Sequence, residues 1–277
     1  MCFQLYYFFI FLKRITKMKK FNPYHLVDVS PWPFLGSLRF LSFFLGVIII
    51  IRVYDFSYFL LGVWILLILR FLWGKDINRE RCYIGSHTLE VVLGFKIGII
   101  VFILSECFFF FRMFWGYLHL AQSPCLELGG VWPPIGVNSF DPKGVPFLNT
   151  LFLVSSGVRV TLSHHRMEVG DYNTSINSLI ITVLLGVVFS LCQGIEYYIA
   201  GFTFSCSSYS SIYFIGTGFH GLHVIIGRVL LIISLRRFIS IFVRVSRRVG
   251  FECSVWYWHF VDVVWFFLYF VFYWWGV

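Results

Sequence analysis

Seven stretches of this 277-residue chain are apolar for long enough to cross a lipid bilayer, and no other feature of the sequence narrows the fold so far. The hydrocarbon core is about 30 Å thick and a helix rises about 1.5 Å per residue, so a span needs roughly 20 mostly apolar residues. The segments run approximately over 34–53, 56–73, 94–118, 145–163, 176–199, 212–235 and 255–275. The fold class is therefore all-α and polytopic. Arg52 and Asp55 mark only a tight turn between the first two spans, for which a re-entrant hairpin is the alternative. Composition points the same way: 59% of residues are hydrophobic and 13% charged, against roughly 45–50% and about 25% in soluble domains. A water-soluble domain and a disordered chain are both excluded.

The basic residues sort to one side. With the N-terminus inside, the inner segments hold Lys13, Arg14, Lys17, Lys19, Lys20, Arg70, Lys75, Arg79, Arg81, Arg166, Arg236, Arg237, Arg244, Arg247 and Arg248, and the outer segments only Arg52 and Lys143. That asymmetry obeys the positive-inside rule, and an odd number of spans puts the C-terminus outside. The net charge of +9 thus belongs to one face. Such a face suits anionic lipid headgroups, whereas basic residues dispersed among short loops make a poor nucleic-acid surface.

Residues 1–24 form an N-terminal extension whose apolar stretch 3–12 is too short to span. It reads as an interfacial or partner-contacting segment, or as a presequence. The polar stretches 74–92 and 120–144 read as loops from their size and their Gly and Pro content. Seven Cys with no C-x-x-C pair suggest neither a disulfide framework nor a thiolate zinc site. Thirty-five Phe against two Ala, Ala121 and Ala200, point to a thymine-rich organellar gene.

Several motifs admit a functional and a structural reading. Gly216, Gly218 and Gly221 match G-x-G-x-x-G, but they lie inside a span and lack the acidic residue that a dinucleotide site carries about 20 positions on. Packing of a neighbouring helix explains them, as it does Gly94 and Gly98. His220 and His223 share a helix face and lack a complete ligand set in their segment, so hydrogen bonding within the bundle is the reading and a metal site the alternative. His259 and Asp262, three apart on one helix, suggest an internal pair. Glu106 lies near the middle of the third span, where a carboxyl is expensive; it is either a proton-exchanging group or a neutral acid bonded to a helix neighbour. Arg112, Arg159 and Arg228 need partners, for which Glu196, Glu252 and Asp262 are candidates. The aromatic clusters 256–258 and 273–275 read as interfacial belts.

Taken together, HLVDVSPWP (25–33), KIGIIVFILSECFFF (96–110), VPFLNT (145–150), EYY (196–198), GTGFHGLHVIIG (216–227), WYWHFVDVVW (256–265) and YWWG (273–276) closely resemble subunit III of the haem-copper cytochrome c oxidases, from about Pro23 to Gly276. The resemblance implies seven helices in two bundles, 25–73 and 93–277, separated by a lipid-binding cleft. It implies a mitochondrial inner-membrane subunit without a redox centre or metal of its own, its N-terminus in the matrix and its C-terminus in the intermembrane space; a bacterial plasma membrane is the alternative. Haem a, haem a3 and copper would sit in partner subunits I and II, which pass electrons from cytochrome c to oxygen while protons are pumped. This chain would pack mainly on subunit I, meet accessory subunits, and hold structural phospholipids such as cardiolipin or phosphatidylglycerol.

Residue by residue, Glu106 corresponds to the family's buried carbodiimide-reactive glutamate, and Arg79, Glu80, His87 and Arg237 to residues near lipid headgroups. His220, His223, His259, Asp262 and Glu196 are candidates for polar pairing within the bundle. Supporting proton uptake and guiding oxygen are further roles that the resemblance implies. Departures occur at Cys206 and Ser210, where relatives usually carry other residues, at Arg112 just after the buried glutamate, and over residues 1–20. The rival readings are a stand-alone proton-coupled transporter relaying through Glu106 and a membrane cytochrome. No internal symmetry between the halves supports the transporter.

Overall fold

The computed structural model describes residues 24, 25, 27, 29–81, 85, 87–124, 126, 129–240 and 248–275. Of the N-terminal extension only Tyr24 is among them, and residues 241–247, with Arg244 and Arg247, are outside. The described residues contain seven helices and no strand: α1 Trp32–Val53, α2 Ser57–Arg79, α3 Leu89–Gln122, α4 Val145–Val169, α5 Tyr172–Ile199, α6 Ser208–Ile239 and α7 Val249–Leu268. From α7 the chain continues in one π-helical turn, Tyr269–Trp274, closed by the Trp275 N–H donating to Phe270 O at 2.9 Å. All seven are long and apolar enough to cross a membrane. In hydrocarbon a helix is the economical solution, because every backbone donor and acceptor finds its partner within the segment.

Helices overrun the expected spans, and two loop assignments need correction. α2 runs on through Lys75, Asp76 and Asn78 to Arg79, and α3 already begins at Leu89, so residues 74–79 and 89–92 are helical rather than loop. The second loop likewise starts after Gln122 instead of at 120. Polarity marks where lipid ends, but the hydrogen-bond ladder continues into the interface. At 34 residues, α3 is about 50 Å long and outreaches the hydrocarbon core.

Local signals set the ends. α1 opens with Pro in its first turn, where a missing N–H costs nothing. Between α1 and α2, Asp55 accepts the backbone N–H of Ser57 at 2.9 Å and its hydroxyl, bonds that hold the carboxyl below its usual pKa. α4 stops at Gly170 (φ +88°), a left-handed position that favours glycine, and Asp171 then caps α5 by accepting the Thr174 N–H at 3.2 Å. Ser207 caps α6 through the Ser210 N–H at 3.1 Å.

The chain divides into two compact units, one ending at Phe95 and one beginning at Lys96, within α3. In the first, α1 and α2 form a hairpin whose only buried helix residues are Gly46 and Gly62. A Cβ on Gly46 would lie 3.0 Å from the Phe59 backbone, so small residues let the two helices touch. Phe34, Ile48, Trp64, Leu67 and Phe71 stand exposed around them. Such a surface demands lipid or another protein.

In the second unit, α4–α7 make the core. Trp258 of α7 fits between Gly186 of α5 and Gly227 of α6, where added Cβ atoms would come within 2.8 and 2.9 Å of its ring, and its Nε1–H donates to Ser156 Oγ of α4 at 2.9 Å. Trp265 Nε1–H donates to Thr150 Oγ1 at 3.1 Å. Ser163 and Ser175 exchange hydroxyl-to-carbonyl bonds of 2.9 and 2.8 Å between α4 and α5. The expected aromatic belts are corrected accordingly: Tyr257, Trp258 and Tyr273 are buried core residues. Among the glycines, Gly216 does serve packing, against Phe272. Gly94, Gly98, Gly218 and Gly221 have open space where a Cβ would stand, so no described helix of this chain closes on them.

Candidate functional site

Polar groups concentrate at several places, of which one lies in the first unit. A cavity of about 450 Å³ is lined by side chains from the segment before α1, the end of α2 and the start of α3, among them His25, Trp32, Asp76, Arg79, Glu80 and His87. The Trp32 indole N–H donates to Asp76 Oδ2 at 2.7 Å, tying α1 to the last turns of α2. His25 Nε2 lies 2.9 Å from Glu80 Oε2, and the His25 and His87 rings stand 5.1 Å apart. Burial pushes the His87 imidazole below its usual pKa, helped by His25 and Arg81 and opposed by Glu80. One basic side chain, two carboxylates and two imidazoles converge where the helices leave the apolar zone. Arg79, Glu80 and His87, read as one group from sequence, do come together; His25 joins them.

Glu106 of α3 is not the isolated carboxyl its surroundings in sequence suggest. Its Oε2 lies 3.2 Å from His223 Nε2 of α6. His223 Nδ1 stands 2.7 Å from Phe219 O, and a carbonyl only accepts, so Nδ1 carries a hydrogen. The Glu106–His223 contact then requires one further proton, on the carboxyl or on Nε2; two lone pairs would otherwise face each other.

A third group lies wholly in the bundle. Tyr213 OH donates to Glu196 Oε1 at 2.7 Å and meets Tyr273 OH at 2.8 Å. Gln193 Nε2–H reaches Tyr273 OH at 3.4 Å, and Asn149 Nδ2–H reaches Gln193 Oε1 at 3.4 Å. α4, α5, α6 and the π-turn are thereby joined through one polar string. Sequence reasoning picked out Glu196 but missed Asn149, Gln193, Tyr213 and Tyr273. In composition those tyrosines are indistinguishable from the exposed ones, and the i, i+3 spacing of Gln193 and Glu196 was the one available signal.

The remaining candidates fall as follows. His220 Nε2 faces Val261 O at 3.2 Å. His259 and Asp262 do not form a hydrogen-bonded couple: their closest atoms are 4.0 Å apart, and His259 Nε2 instead meets Thr161 Oγ1 at 3.2 Å. Asp262 is drawn to α4 because Gly157 leaves room for its carboxyl there. Glu252 pairs not with a mid-span arginine but with Lys96 (2.7 Å) and Arg248 (2.7 Å), and Arg248 reaches on to Glu168 at 3.2 Å. That chain of charges ties α3, α4 and α7. Arg237 sits half-buried in the last turn of α6. Arg228 packs against Gly186 with Nε buried and without a hydrogen-bond partner among the described residues. Of the described cysteines, Cys107, Cys192 and Cys206 form no disulfide.

Comparison with known proteins places these features in context. Residues 22–277 match the family described as Cytochrome c oxidase subunit III. A protein of Aedes aegypti named Cytochrome c oxidase subunit 3 is 47% identical over 255 residues, 92% of this chain and 97% of its own length. Proteins of the same name from Arabidopsis thaliana (47% over 258 residues, 92% and 97%) and Rhipicephalus sanguineus (46% over 255 residues, 92% and 99%) are similar to the same extent.

Proposed function

This chain belongs to the cytochrome c oxidase subunit III family and is a subunit of complex IV; from that premise we propose that it braces the catalytic subunits of the mitochondrial oxidase and holds structural phospholipid, itself carrying no electron. Haem and copper belong to other subunits of the oxidase, where electrons from cytochrome c reduce oxygen. The chain packs mainly on subunit I, beside subunit II and accessory subunits, with its N-terminus in the matrix. The asymmetry of Lys and Arg supports that orientation.

The observation that carries the lipid role is the cavity at the end of α2. Apolar helix surface leads to it from α1 and α2, and Arg79, Glu80 and His87 line its polar end. A guanidinium fits a phosphate in a two-bond fork while the acyl chains lie along the exposed Phe, Leu and Ile of the hairpin. Arg237 is the second headgroup ligand. Glu106 and His223 serve on the proton side: one proton held between a carboxyl and an imidazole moves by a shift of the bond without separating charge. A stand-alone transporter is not favoured by the family.

Arg79→Ala tests the lipid assignment. In the purified oxidase the variant retains less anionic phospholipid per haem a than the parent, with an unchanged haem spectrum and faster inactivation during turnover. Unchanged phospholipid content would overturn the headgroup role.

A further inference from the structure

We propose that His25, Glu80 and His87 form a binding site for a divalent transition metal ion of the zinc class. Nothing in the role of a redox-inactive brace calls for such a site, which shares Glu80 and His87 with the cavity assigned above to a lipid headgroup.

The three residues each present one ligand atom, and these atoms lie within 4.8 Å of one another. Two imidazole nitrogens and one carboxylate oxygen is a donor set that suits zinc and leaves a fourth position for water or an anion. Zinc–nitrogen and zinc–oxygen bonds are about 2.0–2.2 Å, so donors around a tetrahedral ion lie roughly 3.4 Å apart. His25 Nε2 and Glu80 Oε2, at 2.9 Å, are already slightly closer than that. The remaining donor–donor separations are at most 4.8 Å.

Two further observations point to a ligand. His25 Nδ1 and His87 Nε2 are both buried and both without a hydrogen-bond partner among the described residues. A stranded polar atom of this kind is normally costly, about 1–3 kcal/mol, and of the two only His87 Nε2 can be relieved by the ion, because His25 presents its Nε2. An ion between the rings gives His87 Nε2 a partner. The surrounding shell is suitable as well: Phe95 packs on His87 with ring centroids 5.3 Å apart, and Trp32 engages Asp76, which keeps that carboxylate out of the ligand set. The donors come from three chain segments, before α1, after α2 and before α3. Bound metal would therefore cross-link the ends of the α1–α2 hairpin to the entry of α3.

Anionic Glu80 attracts the ion while Arg79, lining the same cavity, opposes a bare cation and favours an anion in the open position. Phosphate could supply that anion from a lipid or from solution, so the test follows zinc and lipid separately. Intact oxidase is stripped with a chelator, re-equilibrated with micromolar ZnCl2, and its zinc measured per haem a for the parent, His25→Asn and His87→Asn, with phospholipid quantified on the same samples. The parent carries one zinc more than either variant, whatever the phospholipid content of each. Equal zinc in all three overturns the proposal. Should a variant fail to assemble, zinc-edge anomalous scattering from ZnCl2-soaked parent oxidase decides: a peak bonded to His25, Glu80 and His87 supports the site, and no peak there overturns it. A lipid role that fails in Arg79→Ala while the zinc peak persists leaves this site standing.

Discussion

Removing one hydroxyl from α4 measures how α7 is seated. Ser156→Ala strands the Trp258 Nε1–H, which donates to Ser156 Oγ at 2.9 Å in a site where both residues are 0% exposed. A buried donor left without a partner costs about 1–3 kcal/mol. Trp258→Phe removes the donor instead. Ser156 Oγ keeps its bond to Leu153 O at 2.7 Å, so its own hydrogen remains satisfied. The smaller ring gives up roughly 40 Å³, which at about 24 cal/mol per Å³ costs roughly 1 kcal/mol. Trp258 is clamped by Gly186 and Gly227, and neither backbone can follow it inward without moving a whole helix, so the cavity persists. In the double variant the cavity cost remains but no N–H is stranded. The two single penalties together therefore exceed the double penalty by about 1–3 kcal/mol, as expected of residues in direct contact. Temperature-ramped native mass spectrometry of the detergent-solubilised oxidase reads this as retention of the subunit on the haem-bearing complex. Strict additivity would refute the claim that this bond, rather than ring size alone, seats α7.

Glu106→Gln retains a donor toward His223 Nε2 and should leave assembly and the haem spectrum unchanged, with stability within about 1 kcal/mol of the parent; a loss matching that of Glu106→Ala would refute the shared proton. Asp171 has its pKa lowered by the bonds from Thr174, so its stabilising effect is complete above the unfolded carboxyl value of about 3.9 and fades as pH falls through the lower folded value. Asp171→Asn keeps the cap and removes that acid dependence, which retention measured from pH 6 to pH 3 checks; an unchanged acid limb would count against the cap.

The existence of all seven helices was legible because a bilayer sets a length that composition alone reveals. Their ends were not, since Lys75, Asp76 and Asn78 are as compatible with a helix as with a loop and only the ladder itself decides. Which aromatic residues are core was equally hidden. Tyr257 and Trp258 look like an interfacial belt in sequence, and only the glycine pockets of α5 and α6 show why they turn inward. The site followed the same division. Arg79, Glu80 and His87 were found together because they are near in sequence and carried by a family motif, whereas His25 meets Glu80 across 55 positions and Glu106 meets His223 across 117. Such contacts depend on helix register, which one sequence does not encode in any local pattern. The His259–Asp262 couple illustrates the converse: correct spacing on one helix, yet the closest approach is 4.0 Å and His259 finds a nearer partner in Thr161 of α4.

The account rests on this subunit supporting redox centres that others hold. Affinity capture of the chain from mild detergent, followed by its separation from the complex and an absorption spectrum of each fraction, addresses that directly. The captured complex should show haem a in stoichiometric amount and the separated chain no pigment at all. A chain recovered alone, or one that keeps haem after separation, would contradict it.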